Sequence, residues 1–172
     1  MKMTAYGGKT QEMFYKEAVR LFGPLQLPPA RLMLRPGTSS KLFDVYDSLR
    51  SQWVALTPEE WVRQHFVKYM VSQLGYSEHR ISNEVALRLN GMVRRADTVV
   101  YDDRLTPQVV VEYKAPEIGL TQRVVEQILR YNLVLGAKGL MVTNGLDVFS
   151  LTVEDESTRI FRGVIPADLF RQ

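Results

Sequence analysis

The run Val109-Val110-Val111-Glu112-Tyr113-Lys114 ends an apolar stretch with an acid and a lysine two residues apart. Alternate side chains of an extended strand share a face, so Val110, Glu112 and Lys114 project from it together. The segment before it carries Asp97 within Ala96-Asp97-Thr98-Val99-Val100, and an antiparallel turn between the two brings this acid beside Glu112. The segment before that carries Glu84, in Asn83-Glu84-Val85-Ala86-Leu87. Three carboxylates against one ammonium leave a charge of −2, and desolvating each unpaired ion costs several kcal/mol. A divalent cation balances the remainder, and oxygen ligands with water are what Mg2+ or Mn2+ takes. The same residues also allow a structural arrangement, with Glu84 turned to solvent, Asp97 paired with Arg94 or Arg95, and Glu112 paired with Lys114.

The elements that must hold these side chains follow from pattern. Strands are predicted over Ile81–Leu89, 93–101 and 108–114, the first two joined by Asn90-Gly91, the strongest hairpin signal in the chain. Upstream, Thr57 suits a helix N-cap, Pro58 the first helical position and Glu60 a capping box, with Trp61, Phe66, Met70 and Leu74 near helical spacing and Gly75 as the stop. A second helix from 121 to about 135 turns Val124, Ile128 and Leu135 toward one face, and strands over 140–143 and 148–153 follow. Helix, three strands, helix, two strands predicts an α/β fold: a central mixed sheet with an antiparallel three-strand meander, flanked by helices. Before this lies a helix over Gln11–Phe22, then Gly23-Pro24, Pro28-Pro29 and Pro36-Gly37, which interrupt regular structure. Residues 1–40 therefore read as an N-terminal helix and wrapping arm, and residues 41–172 as the main domain.

Composition removes other chemistries. At 172 residues with 45% hydrophobic and 24% charged, the chain suits one globular domain. No apolar run approaches the roughly 20 residues of a membrane helix, which leads us to expect a soluble, cytoplasmic protein with no membrane partner. The absence of cysteine excludes disulfides, thiol catalysis and cysteine zinc sites, and two histidines, His65 and His79, are too few for a histidine metal centre. A net charge of +3 permits an anionic partner without requiring one. Gly8-Lys9-Thr10 imitates the end of a phosphate-binding loop, but Met3 stands where its first glycine belongs. His65 reads as a packing or surface residue and His79 as a loop residue. Trp53, Trp61 and Tyr69 read as core rather than as base-stacking platforms. Arg88, Arg94 and Arg95 lie close enough to Asp97 in sequence to contact phosphate.

Several motifs, in order, carry a resemblance: Ala55-Leu-Thr-Pro-Glu-Glu-Trp-Val-Arg-Gln64, Leu89-Asn-Gly, Arg95-Ala-Asp97, Val111-Glu-Tyr-Lys-Ala-Pro116, Gln127 with Tyr131-Asn132, and Val142-Thr-Asn-Gly145. From about residue 41 to residue 153 the chain resembles the N-terminal domain family of type I restriction enzyme R subunits, part of the PD-(D/E)XK nuclease superfamily. The resemblance implies a restriction-endonuclease-like core and Mg2+- or Mn2+-dependent hydrolysis of DNA. Asp97 matches the first metal-binding acid, Glu112 the second, and Lys114 the lysine of the Glu-x-Lys element. Glu84 resembles an additional upstream acid, and Gln127 with Tyr131 the glutamine–tyrosine pair on the helix after the catalytic strand. Ala96 departs from the superfamily's proline before the aspartate.

On this reading Asp97 and Glu112, aided by the Tyr113 backbone carbonyl and with Glu84 as an auxiliary acid, hold the cation. Lys114 orients or helps deprotonate the attacking water, Gln127 positions Lys114 or a phosphate oxygen, and Arg88, Arg94, Arg95 and Tyr131 contact nucleic acid. The chain stops at Gln172 without the helicase motor of a type I R subunit. A protein partner supplying target choice or the motor is therefore expected, and a homodimer is compatible with the reading. The alternative is a non-catalytic nucleic-acid-binding or assembly module that retains the nuclease fold.

Overall fold

The computed structural model describes residues 8–38, 42–154 and 157–163. Its first helix, α1 (Gln11–Phe22), starts where Thr10 Oγ1 accepts the Met13 N–H, so Gly8-Lys9-Thr10 belongs to a helix cap. Three short antiparallel strands follow, β1 (Leu34–Pro36), β2 (Phe43–Asp47) and β3 (Gln52–Ala55), in one small sheet with strands from both sides of residue 40. Sequence pattern predicts none of them. β1 is three residues ending in proline, and β2 buries Asp44 and Asp47, which mask its apolar alternation. Asp44 is held by Arg35 and Thr38, and Asp47 by Arg50 and the backbone N–H groups of Leu49 and Arg50.

Helix α2 (Pro58–Ser72) begins as its sequence predicts, with Thr57 Oγ1 accepting the Glu60 N–H and Pro58 in the first turn. Every residue from Glu60 to Val67 is buried, so the helix is enclosed on all sides. Trp61 turns toward α1 and the small sheet, where Phe14, Leu34, Val45 and Leu56 join it, while Val62, Phe66 and Met70 face the large sheet.

The large sheet has six strands in chain order: β4 (Ile81–Leu89), β5 (Met92–Tyr101), β6 (Pro107–Tyr113), β7 (Gly139–Thr143), β8 (Val148–Glu154) and β9 (Ser157–Arg162). β4, β5 and β6 form the predicted antiparallel meander. The Asn90-Gly91 turn that joins β4 to β5 has positive φ at both residues, as a two-residue hairpin loop requires. β6 and β7 pair in parallel because α3 (Gln122–Leu135) carries the chain across between them, so the sheet is mixed as expected. The last strand, β9, has no counterpart in the sequence-based expectation.

Alternation along β6 assigns the layers. Val109, Val111 and Tyr113 pack against α2, whereas Val110 packs with Val125 and Ile128 of α3, which puts the two helices on opposite faces. No described helix is long and apolar enough to cross a membrane.

Candidate functional site

Pairing between β5 and β6 stops at Thr98↔Val111, and the acids stand just past that point. There Asp97 Oδ2 accepts the Tyr113 N–H at 2.8 Å, replacing a ladder bond with a side-chain bond as the strands part. One residue back on β6, Glu112 points to the α3 face. Its Oε1 accepts from Lys114 Nζ at 2.7 Å and from Gln127 Nε2 of α3 at 2.8 Å. The period-two reading of Glu112 and Lys114 thus describes their placement, and Asp97 lies close enough for its charge to act on Glu112.

Their electrostatics are strained. Burial, and then the charge of Asp97, push the Glu112 carboxyl up from 4.5 to about 7, against the pull of Lys114. Burial likewise raises Asp97, although Arg63 and the Tyr113 N–H oppose it. Burial works against the Lys114 ammonium, yet its bond to Glu112 together with the charges of Glu112, Asp97 and Glu59 outweighs that cost, and its pKa is raised. Ionising both carboxylates here costs more than Lys114 alone offsets.

Further positive charge comes from Arg63 on α2, which sequence reasoning did not single out. Its Nη2 reaches Asp97 Oδ1 at 3.0 Å, and its Nη1 reaches Glu84 Oε1 at 2.6 Å and Glu60 Oε2 at 3.2 Å. Burial works against this guanidinium, yet Glu60 and Asp97 outweigh it and its pKa is raised. Glu60 in turn accepts from Arg50 and Gln64, each at 2.8 Å, which ties the small sheet's β2–β3 turn to the site. A second tie runs from Asp47 through Asn83 and Thr98 to the Tyr113 hydroxyl. Adding Glu60, Arg50 and Arg63 to the original four residues gives four carboxylates against three cations, a net of −1 rather than −2. The signal in the sequence was Glu60-x-x-Arg63 in a capped helix, which reads equally well as a solvated surface pair.

Glu84 lies opposite Asp97 where the β4–β5 ladder skips a pair, and its φ of 58° is a left-handed conformation that costs a non-glycine residue about 1 kcal/mol or more. The twist there sends Ile81 to the α2 face and Leu87 to the α3 face, although regular alternation would put both on one face. The carboxylate of Glu84 is engaged by Arg63, and Arg95 Nη1 stands 3.6 Å away. Among the described residues no three acidic or histidine side chains converge as a group that could hold a metal ion, so Glu84 does not join Asp97 and Glu112 in one cluster. The pair Asp97 and Glu112 nevertheless fits Mg2+, which uses one or two carboxylates and keeps several waters. Among the described residues no hydrogen bond reaches Glu112 Oε2, which leaves that oxygen open to a cation, since Lys114 and Gln127 both bond to Oε1.

Arg88, Arg94 and Arg95 are exposed on the β4–β5 hairpin but do not form one patch. The register Ala86↔Arg95, Leu87↔Arg94 and Arg88↔Val93 puts Arg88 and Arg95 on one face and Arg94 on the other. Tyr131 falls one turn after Gln127 on α3, and its side chain lies outside the described residues. Trp61 is core beside the small sheet, Tyr69 is partly buried against the core between α2 and the large sheet, and Trp53 is half-buried with Arg35 stacked 4.4 Å above its ring. His65 is buried, its Nδ1 on the Trp61 carbonyl at 2.8 Å and its Nε2 on the Tyr15 hydroxyl at 2.9 Å, while His79 is exposed in a short 3-10 turn.

The remaining motif, Val142-Thr-Asn-Gly145, is a structural clamp. Asn144 Oδ1 accepts from Leu146 and Asp147, and its amide donates to Ile118 O at 2.9 Å, fastening the loop that follows Lys114. Gly145 has φ 79°, a left-handed conformation that strains any side chain, and a Cβ there would also displace Leu25, whose Cδ2 would lie 2.7 Å away.

The motifs agree with comparison to a known family. No curated protein matches the chain. The family described as type I restriction enzyme R protein N terminus matches residues 58–165, from the start of α2 to just past β9 and including every acid of the site. The chain, well over half of which is matched, belongs to the type I restriction enzyme R protein N-terminal family.

Proposed function

We propose that the chain is a Mg2+-dependent endonuclease-like domain of the PD-(D/E)XK kind, with a restriction-endonuclease-like core, that hydrolyses DNA phosphodiester bonds. The observation that carries this is the convergence of Asp97, Glu112 and Lys114 at the parting of β5 and β6, with a buried and a half-buried carboxylate underbalanced by their cations. Asp97, Glu112 and the Tyr113 carbonyl would hold Mg2+ or Mn2+. When bound, the ion supplies charge for the non-bridging phosphate oxygens and lowers the pKa of water. Lys114, held 2.7 Å from Glu112, presents its ammonium beside the reacting phosphate, where it offsets charge and orients the attacking water. Gln127 fixes the Glu112 oxygen that Lys114 shares. Arg88 and Arg95, with Arg94 and Tyr131 at the periphery, would grip the nucleic acid backbone. Target choice or a motor would come from a protein partner, in keeping with a restriction–modification family.

One observation favours the non-catalytic module instead: Arg63 already occupies Glu84 and Asp97, and no three-acid group is present among the described residues. An end-labelled DNA duplex incubated with the protein separates the two. Shortening in Mg2+ and none in EDTA supports the nuclease; a gel shift with intact DNA in both selects the module.

A further inference from the structure

Arg63 sits where a cation-binding site should not tolerate it. It is only 6% exposed, and its guanidinium lies on the oxygen of Asp97 that is not taken by the Tyr113 N–H. It cannot swing away freely. Nη1 is pinned by Glu60 and Glu84, Glu60 is itself pinned by Arg50 and Gln64, and the guanidinium carbon stands 5.6 Å from the centre of the Tyr113 ring. Among the described residues the buried Nε–H of Arg63 has no partner, a cost that a side chain kept only for packing would have little reason to carry.

We propose that Arg63 is a fixed internal counter-cation that competes for Asp97 and thereby weakens the site's affinity for a divalent cation. The inference rests on the reading of Asp97 and Glu112 as a cation site. A permanent positive charge beside one ligand repels a divalent ion and withdraws a lone pair from it. Negative charge from a bound phosphate backbone then restores what Arg63 removes, so a tightly held ion requires the nucleic acid. Arg63 acts through Asp97 and is a positioning residue.

The test is a calorimetric titration of Mn2+ into the DNA-free chain, wild type against Arg63→Met, with Arg63→Lys as the charge-conserving control. The methionine variant has grounds to fold, because Glu60 keeps Arg50 and Gln64 and Asp97 keeps the Tyr113 N–H. Should it not fold, Arg63→Gln, which retains hydrogen-bond donors for the same acids, gives the same comparison. The proposal predicts that the neutral variant binds Mn2+ roughly three- to tenfold more tightly than wild type while the lysine variant stays within about twofold of it. Equal or weaker binding by the neutral variant, with wild type binding, overturns the role of Arg63 and leaves the cation site standing. The lysine variant tracking the neutral one also overturns it. Absence of binding by every variant overturns the cation site and this inference with it.

Discussion

Gln127, on α3, donates its side-chain amide to Glu112 Oε1 on β6 at 2.8 Å, the same oxygen that accepts from Lys114. One oxygen of Glu112 is thus doubly held and the carboxylate cannot rotate. Gln127→Ala removes a net hydrogen bond worth about 1 kcal/mol and leaves Lys114 in place. It is expected to lower the melting temperature by only a few degrees and DNA cleavage by about tenfold or more. Lys114→Ala should reduce cleavage by more than roughly 100-fold. Equal activity of wild type and Lys114→Ala in a cleavage time course would remove the lysine from the mechanism.

The two acids should respond differently to neutralisation. Asp97 accepts donors on both oxygens, so in Asp97→Asn one of them, Arg63 or the Tyr113 N–H, meets an NH2 group. An unsatisfied buried donor costs about 1–3 kcal/mol, and the metal-free protein should melt lower by that amount. Among the described residues Glu112 has its donors on Oε1 alone, and its ionised form is disfavoured by burial and by Asp97. Glu112→Gln should therefore leave metal-free stability at pH 8 unchanged or raised. Both substitutions should abolish any stabilisation by Mg2+. Thermal melts with EDTA and with excess Mg2+ check this, and a Mg2+ shift that survives Glu112→Gln would place the ion elsewhere.

DNA affinity should depend on one face of the β4–β5 hairpin. Arg95 approaches Glu84 on the side of the site, and the register puts Arg88 on its face. Alanine at Arg88 or Arg95 is expected to reduce the slope of log affinity against log salt by about 1 each, with Arg94→Ala nearly silent. Filter binding over a salt series reads the slopes, and equal effects from all three would contradict the two-faced assignment.

In mild acid His65 should take stability away, against the gain that the raised Glu112 carboxyl brings over the same range. Burial lowers the His65 pKa below the ordinary 6.5, so the unfolded chain takes up a proton at a higher pH than the folded one. The stabilisation is complete above about pH 6.5 and is lost as the pH falls through the folded value. Chemical denaturation of wild type and His65→Gln between pH 7.5 and 5 measures it, and the variant should lose less stability, or gain more, on acidification than wild type. An unchanged profile in the variant would assign the acid sensitivity to another group.

How far the sequence led depends on how local each signal was. Thr57-Pro58 and Asn90-Gly91 are complete instructions within a few residues, and both elements form as their chemistry dictates. Glu112 and Lys114 were legible because a period of two survives in a strand buried on both faces. Arg63 was not, since α2 is buried all round and its polar residues answer to three separate layers, a relation no helical spacing encodes. Arg94 and Arg95 are adjacent in sequence and divided in space, because strand alternation sends neighbours apart, while Arg88 joins Arg95 across the hairpin. The small sheet went unseen for a related reason: its short strands bury Asp44 and Asp47, whose partners Arg35 and Arg50 become visible only in three dimensions.

The central claim is that Asp97, Glu112 and Lys114 cut DNA with a divalent cation, and conversion of supercoiled plasmid to nicked circles tests it most directly. The account predicts nicking by the wild-type chain in Mg2+, none in EDTA, and none in Mg2+ by Glu112→Gln, whose fold is preserved. Nicking that persists undiminished in Glu112→Gln, or a wild-type chain that binds the plasmid and leaves it supercoiled in Mg2+ and in Mn2+, would contradict it.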